Sequence, residues 1–145
     1  GVTQANSSTR QLAESVDIFP TLAELAGLPA PAGPQPIDGV SLVPVLKDPA
    51  ARVRDHAFHA YPKRKMGRAI RTERFRLVEW KQPGAARKSA EIELYDYRED
   101  PLETKNIAMG KPAEVKRLRA ILDRYPEAVG RNGKPVKKTK SDKGN

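Results

Sequence analysis

The sequence predicts an α+β fold, a small antiparallel β-sheet with helices packed on one face. Three observations predict it. Residues 56 to 97 hold short runs of alternating apolar and polar residues, the gaps between these runs are hairpin-sized, and Pro112 to Tyr125 carries apolar residues at helical spacing.

The first element is a helix over Val16-Asp-Ile-Phe-Pro-Thr-Leu-Ala-Glu-Leu-Ala-Gly-Leu-Pro. Asp17 is its expected N-cap, Ile18, Leu22 and Leu25 form one stripe, and Gly27 ends it before Pro29. Pro20 falls in the first turn, where the amides lack intrahelical partners and a missing N–H costs nothing. Four prolines within residues 29–38 predict an extended connection, and Gly39 to Leu46 predicts one short helical turn.

Strands are expected at His56 to Tyr61, Arg68 to Thr72, Phe75 to Lys81 and Glu91 to Tyr97. Glu73-Arg74 is a two-residue hairpin gap without the Gly or Asn of a type I′ turn, and Gln82 to Ala90 is a longer polar loop. In the closing helix, Pro112 sits at the start and Val115, Leu118, Ile121 and Leu122 share a face. Trp80 and Phe75, in a chain with 6% aromatics, are expected to anchor the sheet to a helix.

Charge and composition bound the function. Lys and Arg number 27 against 18 Asp and Glu, and the excess is uneven. Residues 1–51 hold two basic and five acidic side chains, 52–90 hold twelve and three, 91–130 hold seven and nine, and 131–145 hold six and one. The last segment has one Val as its only large apolar residue and is expected to be a disordered basic tail. The 52–90 cations alternate with Ile70, Phe75, Leu77, Val78 and Trp80, so they belong on a folded surface that favours an anionic partner.

The absence of cysteine removes disulfides, thiolate metal sites and Cys nucleophiles, and no apolar run reaches the length of a membrane span. His56 and His59 are three apart in an expected strand and point to opposite faces. The acidic group Asp96, Glu99, Asp100 and Glu103 lacks the alternating ligands and central Gly of a calcium loop and reads as a turn. No serine lies in a Gly-x-Ser-x-Gly elbow, and no phosphate-binding glycine loop occurs. From the residues alone, the chain holds no self-contained active site.

Four ordered blocks carry a resemblance. They are the 16–29 block, Asp38-Gly-Val-Ser-Leu-Val-Pro-Val-Leu, Tyr61-Pro continuing through Met66-Gly-Arg-Ala-Ile-Arg-Thr-Glu-Arg-Phe-Arg-Leu-Val-Glu-Trp80, and Glu93-Leu-Tyr-Asp followed by Asp100-Pro-Leu-Glu-Thr-Lys-Asn-Ile-Ala. Together they resemble the C-terminal region of type I, formylglycine-dependent sulfatases, most closely the iduronate-2-sulfatase-like branch, to which Tyr61-Pro62 and the Met66 block point. The resemblance implies the C-terminal subdomain of an alkaline-phosphatase-like sulfatase. Residues 1–50 would end the catalytic domain and form the connecting loop, 51–130 would be the α+β subdomain, and 131–145 the tail.

It further implies a parent enzyme hydrolysing sulfate esters, of sulfated sugars such as glycosaminoglycans, in a periplasmic, extracellular or lysosomal compartment. The formylglycine motif and the calcium ligands would lie in the missing N-terminal part, so no catalytic or metal residue is assigned here and this chain alone is expected to be inactive. The implied partners are the rest of the catalytic domain and an anionic sugar. Tyr61, Lys63 and Arg64, at a strand end and the loop after it, are the substrate-binding candidates, while pairing with Glu73 or Glu93 competes for Arg68 and Arg71. The alternative is a basic nucleic-acid-binding or accessory interaction module. The sequence disfavours nucleic acid, since it holds no helix-turn-helix, aromatic RNP-like pair or lysine-rich recognition helix.

Overall fold

The computed structural model describes residues 2–3, 5–30, 32–34, 36–62 and 65–127, with the side chain of Pro62 left aside. The expected tail at 131–145 and the candidates Lys63 and Arg64 lie outside the described residues. The chain forms two compact units, Gly1–Ala57 and Phe58–Asn145. No helix among the described residues is long and apolar enough to cross a membrane.

The first unit holds α1 (Ile18–Leu25), entered through a 3-10 turn at Ser15–Asp17, and α2 (Val43–Lys47). Asp17 occupies the N-cap position of α1, but its side chain does not cap that helix. Its fully buried carboxylate instead accepts the Glu14 N–H at 2.8 Å and the Val40 N–H at 2.9 Å, and pairs with Arg54. Arg54 also pairs with Glu14, and its Nε is a buried donor without a partner. The reach to Val40 requires Gly39, because a Cβ there would stand 2.0 Å from the Val16 carbonyl oxygen. One turn along α1, the Thr21 hydroxyl donates to the Asp17 carbonyl at 2.6 Å and accepts the Leu42 N–H at 2.9 Å. At the other end, Leu28 N–H reaches Ala23 and Gly27 N–H reaches Glu24, with Gly27 at φ +66°, which is the Schellman ending that the sequence suggests.

The second unit is a four-stranded sheet in the order β1-β2-β3-β4, formed by β1 (Ala57–Pro62), β2 (Met66–Arg71), β3 (Phe75–Lys81) and β4 (Glu91–Asp96), with α3 (Pro112–Leu122) packed on it. β3 runs antiparallel to both neighbours, with Ile70 opposite Leu77 and Leu77 opposite Leu94. These three side chains, with Leu118 and Leu122 of α3, make a solvent-free core that Phe58, Phe75, Ile92, Val115, Ile121 and Tyr125 surround. Tyr125 stacks on Phe58 with ring centroids 4.2 Å apart. The β2–β3 turn closes without glycine because Thr72 does two jobs, with its N–H bonded to the Phe75 carbonyl at 2.8 Å and its hydroxyl accepting the Phe75 N–H at 2.9 Å.

Side chains alternate across a sheet, so Phe75 and Leu77 on the α3 side put Arg76, Val78 and Trp80 on the other. Phe75 therefore meets the expectation of a sheet-to-helix anchor, whereas Trp80 lies on the face opposite α3. Trp80 lies across Gly67, its cross-strand partner, where an added Cβ would come within 2.5 Å of the ring.

Candidate functional site

Local strand geometry puts three aromatic groups on the sheet face opposite α3. Phe58 packs toward the core, so alternation along β1 places His59 and Tyr61 on the far face with Trp80. The Tyr61 ring meets Trp80 edge-on at 6.4 Å, and His59 lies nearly parallel to Tyr61 at 6.3 Å. Tyr61 is 44% exposed, which leaves ring surface open to a ligand at the end of the strand. Of the candidates Tyr61, Lys63 and Arg64, only Tyr61 lies among the described residues. After them, Lys65 forms an exposed ion pair with Glu91 at the head of β4.

The other cations of this sheet are committed. Arg68 projects to the α3 side and donates to Glu79 at 2.9 Å, while Arg119 of α3 takes the second Glu79 oxygen at 2.6 Å. Burial pushes the Glu79 carboxyl up, but the hydrogen bonds from Arg68 and Arg119 outweigh it and hold the group below the usual glutamate range. Arg71 lies over the Tyr97 ring, 3.3 Å from its centroid, and donates to the Thr72 carbonyl. Glu103 takes both Arg76 and the Tyr97 hydroxyl. Burial, then that bond to Glu103, raises the Tyr97 phenol above its ordinary value. Arg68 thus pairs with an acidic residue, as the sequence suggests, but with Glu79, which the register sets directly across from it, in place of Glu73 or Glu93.

The acidic group is a turn. Asp96 is clamped by Arg74 through three bonds of 2.7–3.0 Å and lies below the usual aspartate range, first through that arginine. Asp100 binds the Thr104 hydroxyl at 3.1 Å and the Lys105 N–H at 2.8 Å, closing a loop in which Glu103 takes φ +56°. His56 precedes β1 and pairs with Asp55. Among the described residues no three metal-binding side chains converge. The described residues therefore do not fit a calcium site, and the sequence, with no cysteine and no Ser-x-Pro-x-Arg motif, does not fit a formylglycine precursor.

Two features escape sequence reasoning. One is the Trp80–Gly67 pairing, whose only signal is a glycine inside a strand opposite an aromatic. The other is an open groove of about 560 Å³ beside the α3 N-terminus, floored by Ile92, Pro112 and Val115 and rimmed by Arg87, Lys116 and Arg119. Two of its three cations are already paired, Arg87 with Asp123 and Arg119 with Glu79. The aromatic end of β1 thus remains the better placed surface.

A family model described as N-sulphoglucosamine sulphohydrolase, C-terminal, matches residues 1–127. The N-acetylglucosamine-6-O-sulfatase of Bacteroides thetaiotaomicron is 30% identical over 135 residues, covering 86% of this chain and 22% of that protein. A protein solved in complex with its substrate, D-glucosamine-2-N,6-O-disulfate, superposes with a TM-score of 0.60 at 28% identity, over 74% of this chain and 22% of its own. The phosphonate monoester hydrolase of Agrobacterium radiobacter superposes with a TM-score of 0.57 at 28% identity, over 74% of this chain and 23% of its own. This chain spans less than a quarter of each of these relatives. With that fold, and a match running through both units to residue 127, the chain belongs to the sulfatases, in the family defined by the C-terminal region of N-sulphoglucosamine sulphohydrolase.

Proposed function

We propose that this chain is the C-terminal part of a longer enzyme that hydrolyses sulfate esters of sulfated sugars, and that it contributes the end of β1 to the substrate pocket. The observation that carries the reading is Tyr61, an exposed ring braced edge-on by Trp80 and followed in sequence by Lys63 and Arg64. A ring beside two cations suits a sulfated sugar, since the ring covers the apolar C–H face and the cations meet the sulfate or carboxylate. The relative solved in complex with D-glucosamine-2-N,6-O-disulfate supports a sulfated sugar as the substrate class. The Tyr61-Pro62 and Met66 blocks support the narrower iduronate-2-sulfatase-like reading.

Calcium and formylglycine would belong to the part of the enzyme outside this chain, as would the bond-breaking step. The role left to these residues is to bind the sugar and hold its orientation. Lysine and arginine are cationic at neutral pH and do not serve as bases there, so their contribution is shared by ground and transition states. In the longer enzyme, the Lys63→Ala/Arg64→Ala double variant should raise KM for a sulfated disaccharide about tenfold, the scale of one lost charge-assisted bond, with little change in kcat. An unchanged KM, or a loss of kcat alone, overturns the positioning role.

A second reading has its own observation, the equally identical phosphonate monoester hydrolase. Turnover of an aryl phosphonate monoester well above that of an aryl sulfate by the longer enzyme would establish it in place of the first.

A further inference from the structure

The groove beside the start of α3 joins an apolar floor to a rim of one charge sign. Pro112, Val115, Lys116 and Arg119 line one wall, and their i, i+3, i+4 and i+7 spacing puts all four on one face of the helix. Ile92 of β4 and Ala108 continue the floor. Of the residues lining the groove three are cations and none is an acid, and its volume of about 560 Å³ is that of a small-molecule site.

The fold does not neutralise these cations. Arg68 and Arg119 share the single carboxylate of Glu79, so two guanidiniums meet one negative charge. Glu127, which lines the same small cleft as Arg68, is taken by Lys81. One positive charge of the cluster is left without an acidic partner among the described residues, where Glu79 is 3% and Arg68 6% exposed. A charge so poorly hydrated attracts an anion far more strongly than one in water does. Arg119 gives Nε and Nη2 to Glu79, while its Nη1 makes no bond among the described residues and stays open to solvent. The buried carboxylate thus fixes a guanidinium that lines the groove and leaves one of its donors unused. Lys116 forms no ion pair among the described residues. Arg87 is held by Asp123 only at the surface, where an ion pair is worth little.

We propose that this groove binds a small amphiphilic anion, a short hydrocarbon chain bearing one carboxylate or sulfate group. The head meets Arg119 and Lys116, and the chain lies over Ile92, Pro112 and Val115. Inorganic sulfate would use the rim and leave the apolar floor wet. A nucleic acid needs a long run of cations, and this rim has three. The groove lies on the α3 side of the sheet and Tyr61 on the other, so this site is additional to the sugar-binding strand end and stands whether or not that reading holds.

The test titrates octyl sulfate, below its micelle concentration, into the 145-residue chain by isothermal calorimetry. One molecule should bind per chain. Hexyl sulfate should bind roughly fifteenfold more weakly, because each CH2 withdrawn from an apolar contact costs about a factor of four. Inorganic sulfate and octan-1-ol, which carry the head or the body alone, should each bind at least about tenfold more weakly. Met109 is 100% exposed and Lys116 is exposed as well, so Lys116→Glu/Met109→Glu should keep the thermal midpoint while weakening octyl sulfate at least about tenfold. A second readout needs no variant. In the proton–nitrogen correlation spectrum of the wild type, octyl sulfate should shift the amides of Ile92, Val115 and Lys116. It should leave in place those of Leu22 and Leu25, whose exposed side chains on α1 offer alkyl chains a second surface.

Equal affinity for inorganic sulfate or for octan-1-ol overturns the proposal, since the site would then read only charge or only apolar surface. So does an affinity that the double variant leaves unchanged, or shifts at Leu22 and Leu25 in place of those at Ile92, Val115 and Lys116. Cosedimentation of the chain with phosphatidylglycerol vesicles, without uptake of monomeric octyl sulfate, also overturns it and makes a lipid surface the occupant.

Discussion

Glu79 lies opposite Arg68 in the β2–β3 pair and reaches Arg119 on α3, so one buried carboxylate ties two strands to the helix. Removing its charge leaves two arginines facing a neutral amide in a site where Glu79 itself is 3% exposed. Glu79→Gln should cost roughly 3–5 kcal/mol, the range for breaking a buried pair by altering one member, read from urea unfolding at pH 7. The pH dependence has a definite sign. The Glu79 carboxyl is held below its ordinary value, so its contribution is fully present above the usual glutamate range and is lost as the pH falls through the lowered value. Asp96 beside Arg74 acts in the same direction. The wild type should therefore lose more of its urea midpoint between pH 7 and pH 3 than Glu79→Gln does, and parallel losses would show that other carboxylates dominate. Gly67 offers a test of a different kind. A methyl group at this position meets the Trp80 ring, so Gly67→Ala should cost about 1–3 kcal/mol and shift the single tryptophan's emission as the ring is displaced.

At the scale of elements, α3 follows its sequence closely. Its spacing places Leu118 and Leu122 on the core face, both fully buried, and Leu118→Ala should cost about 2–5 kcal/mol by thermal or urea unfolding. The strands were equally readable, with ends differing by at most two residues, because alternation and turn residues are local properties. α1 shows where such reasoning stops. The periodicity of Ile18, Leu22 and Leu25 states that they share a side, but not which side faces the interior, and that is decided by Asp17, Thr21 and Gly39 reaching partners more than twenty residues away. Trp80, on the face opposite α3, shows a related limit. Aromatic scarcity marks a residue as valuable, yet β-strand parity assigns the face, and Phe75 and Trp80 differ by an odd number of positions. The partner of Arg68 depends on cross-strand register, which no local pattern supplies.

At the scale of the whole molecule, the family was legible because four blocks occur in order, whereas the candidate site was legible only as a strand end carrying Tyr61. The bracing of Tyr61 by Trp80 depends on two strands that are not adjacent in the sheet, so nothing in the run of residues announces it. As the sequence holds no cysteine and no Ser-x-Pro-x-Arg motif, the 145-residue chain alone should show no turnover of p-nitrophenyl sulfate above buffer with or without calcium, and measurable calcium-dependent hydrolysis would overturn that expectation. The meander order of the four strands has a kinetic consequence. Each strand pairs with its neighbour in the chain, and the longest link between paired strands is residues 82–90, so sheet assembly closes only small loops. Folding rates rise as contacts become more local, and refolding of the Phe58–Asn145 unit should be a single phase in roughly the millisecond range, measured by Trp80 fluorescence after dilution from urea. The sheet can thus complete itself rapidly from its own neighbouring segments, before any slower search for a distant surface begins.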